Sequence, residues 1–176
     1  MSGPVLEVRS LGVTVRGGRV PAAPDAPVTT ILDDVSFDLA EGSSIGIVGA
    51  SGAGKSTLGL ALMRLLPRTL IVSAESQVRL ASRELLSLDE HALRDVRGRQ
   101  VAMVFQEPIT ALNPAMSVGA QLAEAEIVHG ETDHRLARER AIEMLDRVGI
   151  PDAADAARRF PHEFSGGMRQ RLLLAM

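Results

Sequence analysis

The sequence contains no cysteine, so neither a disulfide nor a thiolate metal site is open to it. It contains no tryptophan or tyrosine, and none of its four phenylalanines, Phe37, Phe105, Phe160 and Phe164, falls between Arg16 and Thr30. No apolar run approaches the roughly 18 residues that a membrane-spanning helix needs. Glu7 and Arg9 interrupt the first apolar patch, which therefore lacks the continuous hydrophobic region of a signal peptide. Nor is there a basic excess. Nineteen Lys and Arg against 22 Asp and Glu leave a net charge of −3, with no overall footprint for nucleic acid. These absences point to a cytosolic chain whose membrane association, if any, goes through a partner. What is present in quantity is apolar: 176 residues at 45% hydrophobic composition suit one domain with its own core.

The organising stretch is Gly49-Ala50-Ser51-Gly52-Ala53-Gly54-Lys55-Ser56-Thr57, directly after the apolar run Ile45-Gly46-Ile47-Val48. It reads as a strand, a glycine-rich turn and the first turn of a helix, the context that makes G-x-x-x-x-G-K-[ST] a phosphate loop. Glycines allow backbone N–H groups to converge on phosphate oxygens where a Cβ would obstruct them. A helix beginning near Gly54 adds unpaired N–H groups and its positive dipole end. At these positions Lys55 reaches the β- and γ-phosphates, the Ser56 hydroxyl ligates Mg²⁺, and Thr57 is a second phosphate contact or first-turn packing.

Along the chain, Val5–Arg9 and Leu11–Val15 alternate apolar and polar residues as half-buried strands do. Arg16 to Thr30, with Gly17-Gly18, Pro21, Pro24 and Pro27, reads as a loop. Ile31–Leu39 reads as another strand and Gln77–Leu80 as a short one. Ile45–Val48 and Val101–Phe105, apolar without alternation, are expected as strands buried on both faces of a mainly parallel sheet. Leu58 to Leu66 is expected as a helix stopped by Pro67, and Asp89–Val96 as a short helix ended by Gly98. From about Ser117 the pattern turns helical: Val118, Leu122 and Ala125 share one face, as do Ala137, Ala141 and Met144, with Gly149 and Pro151 as stop signals.

Phosphate loops serve kinases, GTPases, helicases and transporters alike, so this loop alone names no function. A second element discriminates. In Phe164-Ser165-Gly166-Gly167-Met168-Arg169-Gln170-Arg171, Ser165 is a good N-cap, two glycines leave N–H groups open, and Met168, Leu172 and Met176 form a stripe. That is a second anion-binding helix start, although Ser-Gly-Gly also begins ordinary helices. Together with Gln106 after an apolar run, the order of motifs resembles the nucleotide-binding subunits of ABC transporters, whose signature is Leu-Ser-Gly-Gly-Gln and whose Q-loop glutamine follows such a strand. Val104 to Pro114 and Phe160 to Arg171 are similar to the oligopeptide, dipeptide and nickel importer branch, where Met commonly replaces the last Gln of the signature. The likeness runs from about Val5 to the last residue.

The resemblance implies an α/β fold, a P-loop NTPase of the ABC type with an antiparallel β subdomain and a helical subdomain. It divides the chain into a β-rich and phosphate-loop portion at 1–116, a helical subdomain at 117–164 and a signature helix at 165–176. It implies ATP and Mg²⁺ as cofactors, with Gly49, Ser51, Gly52, Ala53, Gly54, Lys55, Ser56 and Thr57 binding nucleotide. Ser165, Gly166 and Gly167 would touch the γ-phosphate held by a second ATP-binding subunit, and Gln106, with Ser56, would attend Mg²⁺ and sense the attacking water. The implied partners are that second subunit, membrane permease subunits and, indirectly, an extracellular substrate-binding protein, but no nucleic acid. The implied place is peripheral, at the cytoplasmic face of the cell membrane.

The family pattern continues with a Walker B strand ending in Asp-Glu, a D-loop and a switch histidine, none of which follows the signature in these 176 residues. Leu85-Leu86-Ser87-Leu88-Asp89-Glu90 imitates a Walker B but precedes Gln106 and reads as a capped helix start. His91, His129, His134 and His162 all precede or lie outside the switch position and read as surface or capping residues. The C-terminal core strands of the fold are therefore missing. In the family they separate the phosphate-loop strand from the Q-loop strand, so both of these are expected to have open edges. The 176 residues are expected to bind nucleotide poorly and to hydrolyse it negligibly. The family's adenine-stacking aromatic is also absent near Val15, which predicts weak discrimination between ATP and GTP, base–aromatic stacking being worth about 1–3 kcal/mol. A non-catalytic fragment that engages nucleotide or permease is the alternative; an unrelated phosphate-loop kinase is opposed by Gln106 and Ser165.

Overall fold

A computed structural model describes residues 3–16, 28–105, 111–128, 130 and 133–176. The chain forms two compact units, Met1–Val101 and Ala102–Met176.

The first unit is built on an antiparallel sheet. Strand β1 (Leu6–Arg16) pairs along its length with β2 (Val28–Leu39), from Leu6 opposite Leu39 to Arg16 opposite Val28. Its other edge pairs with β3 (Leu70–Val72) and β4 (Gln77–Leu80), and β4 carries the two-residue β5 (Arg83–Glu84). The two strands expected at Val5–Arg9 and Leu11–Val15 are one bulged strand. Ser10 adopts a φ of 45°, and the two β1 residues between Val8 and Leu11 face the single β2 residue between Phe37 and Val35. Such an extra residue switches the side-chain parity, and so Val8, Leu11 and Val13 all reach the same core fully buried. The expected loop from Arg16 to Thr30 is shorter at its edges, because Arg16 and Val28–Thr30 extend the β1–β2 ladder.

Helix α1 (Lys55–Leu62) lays Leu58 and Ala61 on this core. It ends before the expected stop at Pro67, because Arg64 turns left-handed at φ 51°. Helix α2 (Glu90–Val96) is capped by Asp89, whose Oδ1 accepts from Ala92 N at 2.7 Å. The would-be Walker B stretch is thus a helix start.

Two expectations fail. Ile45–Val48 and Val101–Phe105 do not form buried strands. Within the first run Ile45, Ile47 and Val48 are exposed, Val48 at 95%, and no ladder forms there among the described residues. In the second, Val101 makes a single parallel bridge to Arg97, while Val104 and Phe105 are exposed. An apolar run becomes a buried strand only when other strands pair with it and further elements cover its faces, and among the described residues no ladder forms with either run.

The second unit is helical: α3 (Val118–Val128), α4 (His134–Arg147), the short α5 (Ala153–Ala156), a 3₁₀ turn (Pro161–Glu163) and α6 (Gly166–Ala175). Its core joins Leu122, Ala137, Ala141, Leu145, Ile150 and Leu172. Asp133 caps α4 through Oδ1, which accepts from Arg135 N and Leu136 N. Gly119 sits hard against Ala157 and donates to its carbonyl at 2.9 Å. The buried Gln121 side chain accepts from Asn113 N and donates to the carbonyls of Asn113 and Met116, each within 3.0 Å.

Candidate functional site

In the first unit the loop from Gly49 to Gly54 turns the chain into α1. Gly52 and Gly54 both have φ of +81°, the left-handed region that glycine enters without strain. Gly54 is the N-cap and has no side chain to offer; Leu58 N donates back to its carbonyl at 2.8 Å. The N–H groups of Lys55, Ser56 and Thr57 therefore open the helix without intrahelical partners, at the end where the helix dipole favours an anion. A Cβ on Gly54 would lie 2.8 Å from Leu32 Cδ2 and 3.1 Å from Ile31 O, which ties the bottom of the loop to β2.

The Lys55 ammonium folds over the loop, donating to Gly49 O at 2.8 Å and Ala50 O at 2.7 Å. Ser51, Gly52 and Ala53 are exposed along the rim, and Ser56 is exposed on the first turn of α1. The arrangement offers convergent N–H donors, one ammonium and one hydroxyl, which is the donor set a polyphosphate takes. It fits the phosphates better than it fits Mg²⁺. Ser56 is the one metal-ligand candidate described here, and no group of three His, Asp or Glu side chains suited to a metal exists among the described residues. A cavity of about 390 Å³ in the same unit lies elsewhere, among Arg64, Leu70, Ser73 and Leu86. The phosphate loop is an open surface cradle.

Gln106 lies outside the described residues. In the second unit Ser165 is the N-cap of α6, its Oγ accepting from Met168 N at 3.4 Å. Nothing lies within 4 Å of a Cβ built on Gly166 or Gly167, so this helix start is open to an approaching group. The turn before it is held by side chains that sequence reading did not single out. Arg169 donates to Pro161 O and His162 O, Arg159 donates to Glu163 O, and Glu163 Oε2 accepts from Phe160 N. Arginines on a helical stretch are ordinary solvated residues by pattern, and nothing in their spacing marks a bond to a distant carbonyl.

The family model described as ABC transporter matches residues 32–176, a span that includes both helix starts. The chain belongs to the ABC transporter family. Its relatives include a probable peptide ABC transporter ATP-binding protein, y4tR, of Sinorhizobium fredii, 42% identical over 172 residues that make up 98% of this chain and 49% of the relative. The dipeptide transport ATP-binding protein DppD of Bacillus subtilis is 40% identical over 98% of this chain and 49% of its own length. The oligopeptide transport ATP-binding protein OppD of Escherichia coli is 42% identical over 98% and 48%. The chain thus spans about half the length of the curated relatives it matches. Among solved structures, the ATP-binding cassette MJ0796, in a dimeric post-hydrolysis state bound to ADP and Pi, superposes with a TM-score of 0.75 over 97% of this chain and 67% of its own, at 23% identity. This likeness shows the fold: α/β, a P-loop NTPase of the ABC type, with an antiparallel sheet and helices. No described helix is long and apolar enough to cross a membrane.

Proposed function

We propose that this chain is the front portion of the ATP-binding subunit of an ABC importer for peptides or nickel-type cargo, coupling ATP binding and hydrolysis to uptake. The observation that carries the nucleotide part is the loop itself. Its left-handed Gly52 and Gly54 and the Lys55 ammonium beside Gly49 O gather donors at the start of α1. Relatives at about 40% identity across nearly the whole chain, named for peptide, dipeptide and oligopeptide transport, support the cargo class.

In this reading Gly49, Ser51, Gly52, Ala53, Gly54, Lys55, Ser56 and Thr57 hold ATP and Mg²⁺. The Ser165, Gly166 and Gly167 start meets the γ-phosphate bound by a second subunit, and Gln106 senses Mg²⁺ and the attacking water. Phosphoryl transfer needs positioning and charge stabilisation more than covalent chemistry, so a site completed only when two subunits close makes hydrolysis conditional on closure. Closure then drives a membrane permease, with a substrate-binding protein delivering the cargo, from the cytoplasmic face of the membrane. Residues 1–116 serve as the β-rich and phosphate-loop portion, 117–164 as the helical subdomain and 165–176 as the signature helix.

The second reading is a non-catalytic fragment that engages nucleotide or permease without turnover. It is favoured by the exposed, unladdered runs at Ile45–Val48 and Val104–Phe105, which lack the neighbours that would bury them. The deciding experiment is the intact mass of the natural product together with its ATPase rate. A longer product with an apolar strand ending in Asp-Glu, a later histidine and steady turnover supports the transport ATPase. A product of 176 residues without turnover leaves the fragment, and steady turnover by a verified 1–176 protein would refute the need for those later residues.

A further inference from the structure

Three consecutive carbonyls of the turn that precedes the Ser165 helix start are held by two guanidinium groups. Arg169, on the first turn of α6, reaches back past the helix start. Its Nε donates to Pro161 O at 3.0 Å and its Nη2 to His162 O at 3.4 Å. Arg159 approaches from the other side, donating through Nη2 to Glu163 O at 2.5 Å while its guanidinium carbon lies 4.5 Å from the centre of the Phe164 ring. Phe164 is buried, and Glu163 Oε2 accepts from Phe160 N at 2.6 Å, which closes the turn on itself. Ser165 follows at once. The direction in which the open Gly166 and Gly167 N–H groups point is therefore set by this turn.

We propose that Arg169 is a positioning residue for the Ser165–Gly167 helix start, clamping it to the Pro161–Glu163 turn so that its N–H groups face an incoming phosphate at one fixed angle. The inference rests on the proposed role of that start in meeting a γ-phosphate. A planar fork fixes the angle at which its separate N–H groups meet two successive carbonyls, whereas an ammonium is a point charge on a flexible stem that fixes no such angle. The same fork keeps a positive charge within one turn of the helix N-terminus, where it adds to the attraction for an anion. Arg169 touches no reacting atom, and its effect passes through the angle of the glycine pair. A small misplacement of a group that completes a phosphoryl-transfer site is felt mainly in the transition state.

The test uses the full-length gene product, wild type and carrying Arg169→Lys or Arg169→Gln, in steady-state ATPase assays normalised to folded protein. Both variants are expected to lose about tenfold or more in kcat, with KM for ATP changed less than about threefold, because the loop at Gly49–Thr57 is untouched. The melting temperature should move by only a few degrees, as the net contribution of such hydrogen bonds to stability is modest. A kcat within twofold of wild type in Arg169→Gln overturns the proposal. So does a loss that disappears on normalising to folded protein, or a full rescue by Arg169→Lys, since then charge or stability and not the fork is what matters. A wild-type product with no ATP binding at all sinks instead the reading on which the proposal rests, and a fluorescent nucleotide titration of wild type separates the two failures.

Discussion

The ammonium of Lys55 lies 2.8 Å from the carbonyl oxygen of Gly49, across the mouth of the loop that both residues frame. One side chain from the start of α1 thus returns to the first residue of the glycine turn, with Ala50 O as its second acceptor at 2.7 Å. A phosphate entering the mouth meets this ammonium and the free N–H groups of the helix start together. Removing the ammonium removes the one positive charge that the loop sequence supplies.

Gly54→Ala should damage both stability and binding. The residue has φ +81°, and a Cβ would press on Leu32 Cδ2 at 2.8 Å and on Ile31 O at 3.1 Å. Left-handed strain together with overpacking costs about 1–3 kcal/mol. Urea denaturation of the variant checks this, and an unchanged midpoint would contradict the packing of the loop on β2.

Gly119→Ala should destabilise the helical unit by a similar route without touching the loop. Its Cβ would sit 2.7 Å from the Ala157 carbonyl oxygen, which is backbone and cannot swing away. The expected cost is about 1–3 kcal/mol, read as faster amide exchange through α3 with the first unit unaffected.

Gln121→Leu keeps the bulk and removes three bonds. Asn113 N, Asn113 O and Met116 O would lose their shared partner at a buried position, at an expected cost of about 1–3 kcal/mol. Protease cleavage near residues 113–116 should appear in the variant before it appears in wild type.

Asp38 carries a pH signature. The hydrogen bonds from the Arg9 guanidinium, at 2.6 and 2.9 Å, hold its carboxyl below the usual aspartate range. A carboxyl lowered by folding contributes stability above its unfolded pKa and loses it as pH falls through the folded value. Wild type should therefore exceed Asp38→Asn slightly at neutral pH, and the two should converge in acid. The pair is exposed, so the gap should also shrink with added salt. A carbon-detected titration of the Asp38 carboxyl with an unshifted midpoint would contradict the assignment.

The turn-and-helix geometry of Gly49–Thr57 was legible because glycine and lysine at fixed spacing have few other uses. The cap at Ser165 and the capped helix start at Asp89 were legible for the same local reason. The single bulged β1 was not, since the break in alternation at Ser10 looks the same whether a strand ends or gains a residue. Short elements escaped as well. Leu70–Val72 is a strand because Val13 to Val15 lie beside it, and Ala153–Ala156 is flanked by a carbonyl, Ala157 O, that takes the Gly119 N–H. Ile45–Val48 and Val101–Phe105 show the opposite error. Their composition is that of buried strands, but burial is conferred by partners, which composition does not contain. The arginine clamps on the Pro161–Glu163 turn join residues through backbone carbonyls, which carry no sequence mark at all.

The central claim is that this chain holds nucleotide through the Gly49–Thr57 loop, and the most direct measurement is titration of a fluorescent ATP analogue into the 1–176 protein and its Lys55→Ala variant, side by side. The account predicts weak but saturable binding by wild type and an affinity at least about tenfold lower in the variant, as expected for loss of a charge-assisted phosphate contact. Equal affinity in the two proteins, or no saturable binding by wild type even at millimolar nucleotide, would contradict it.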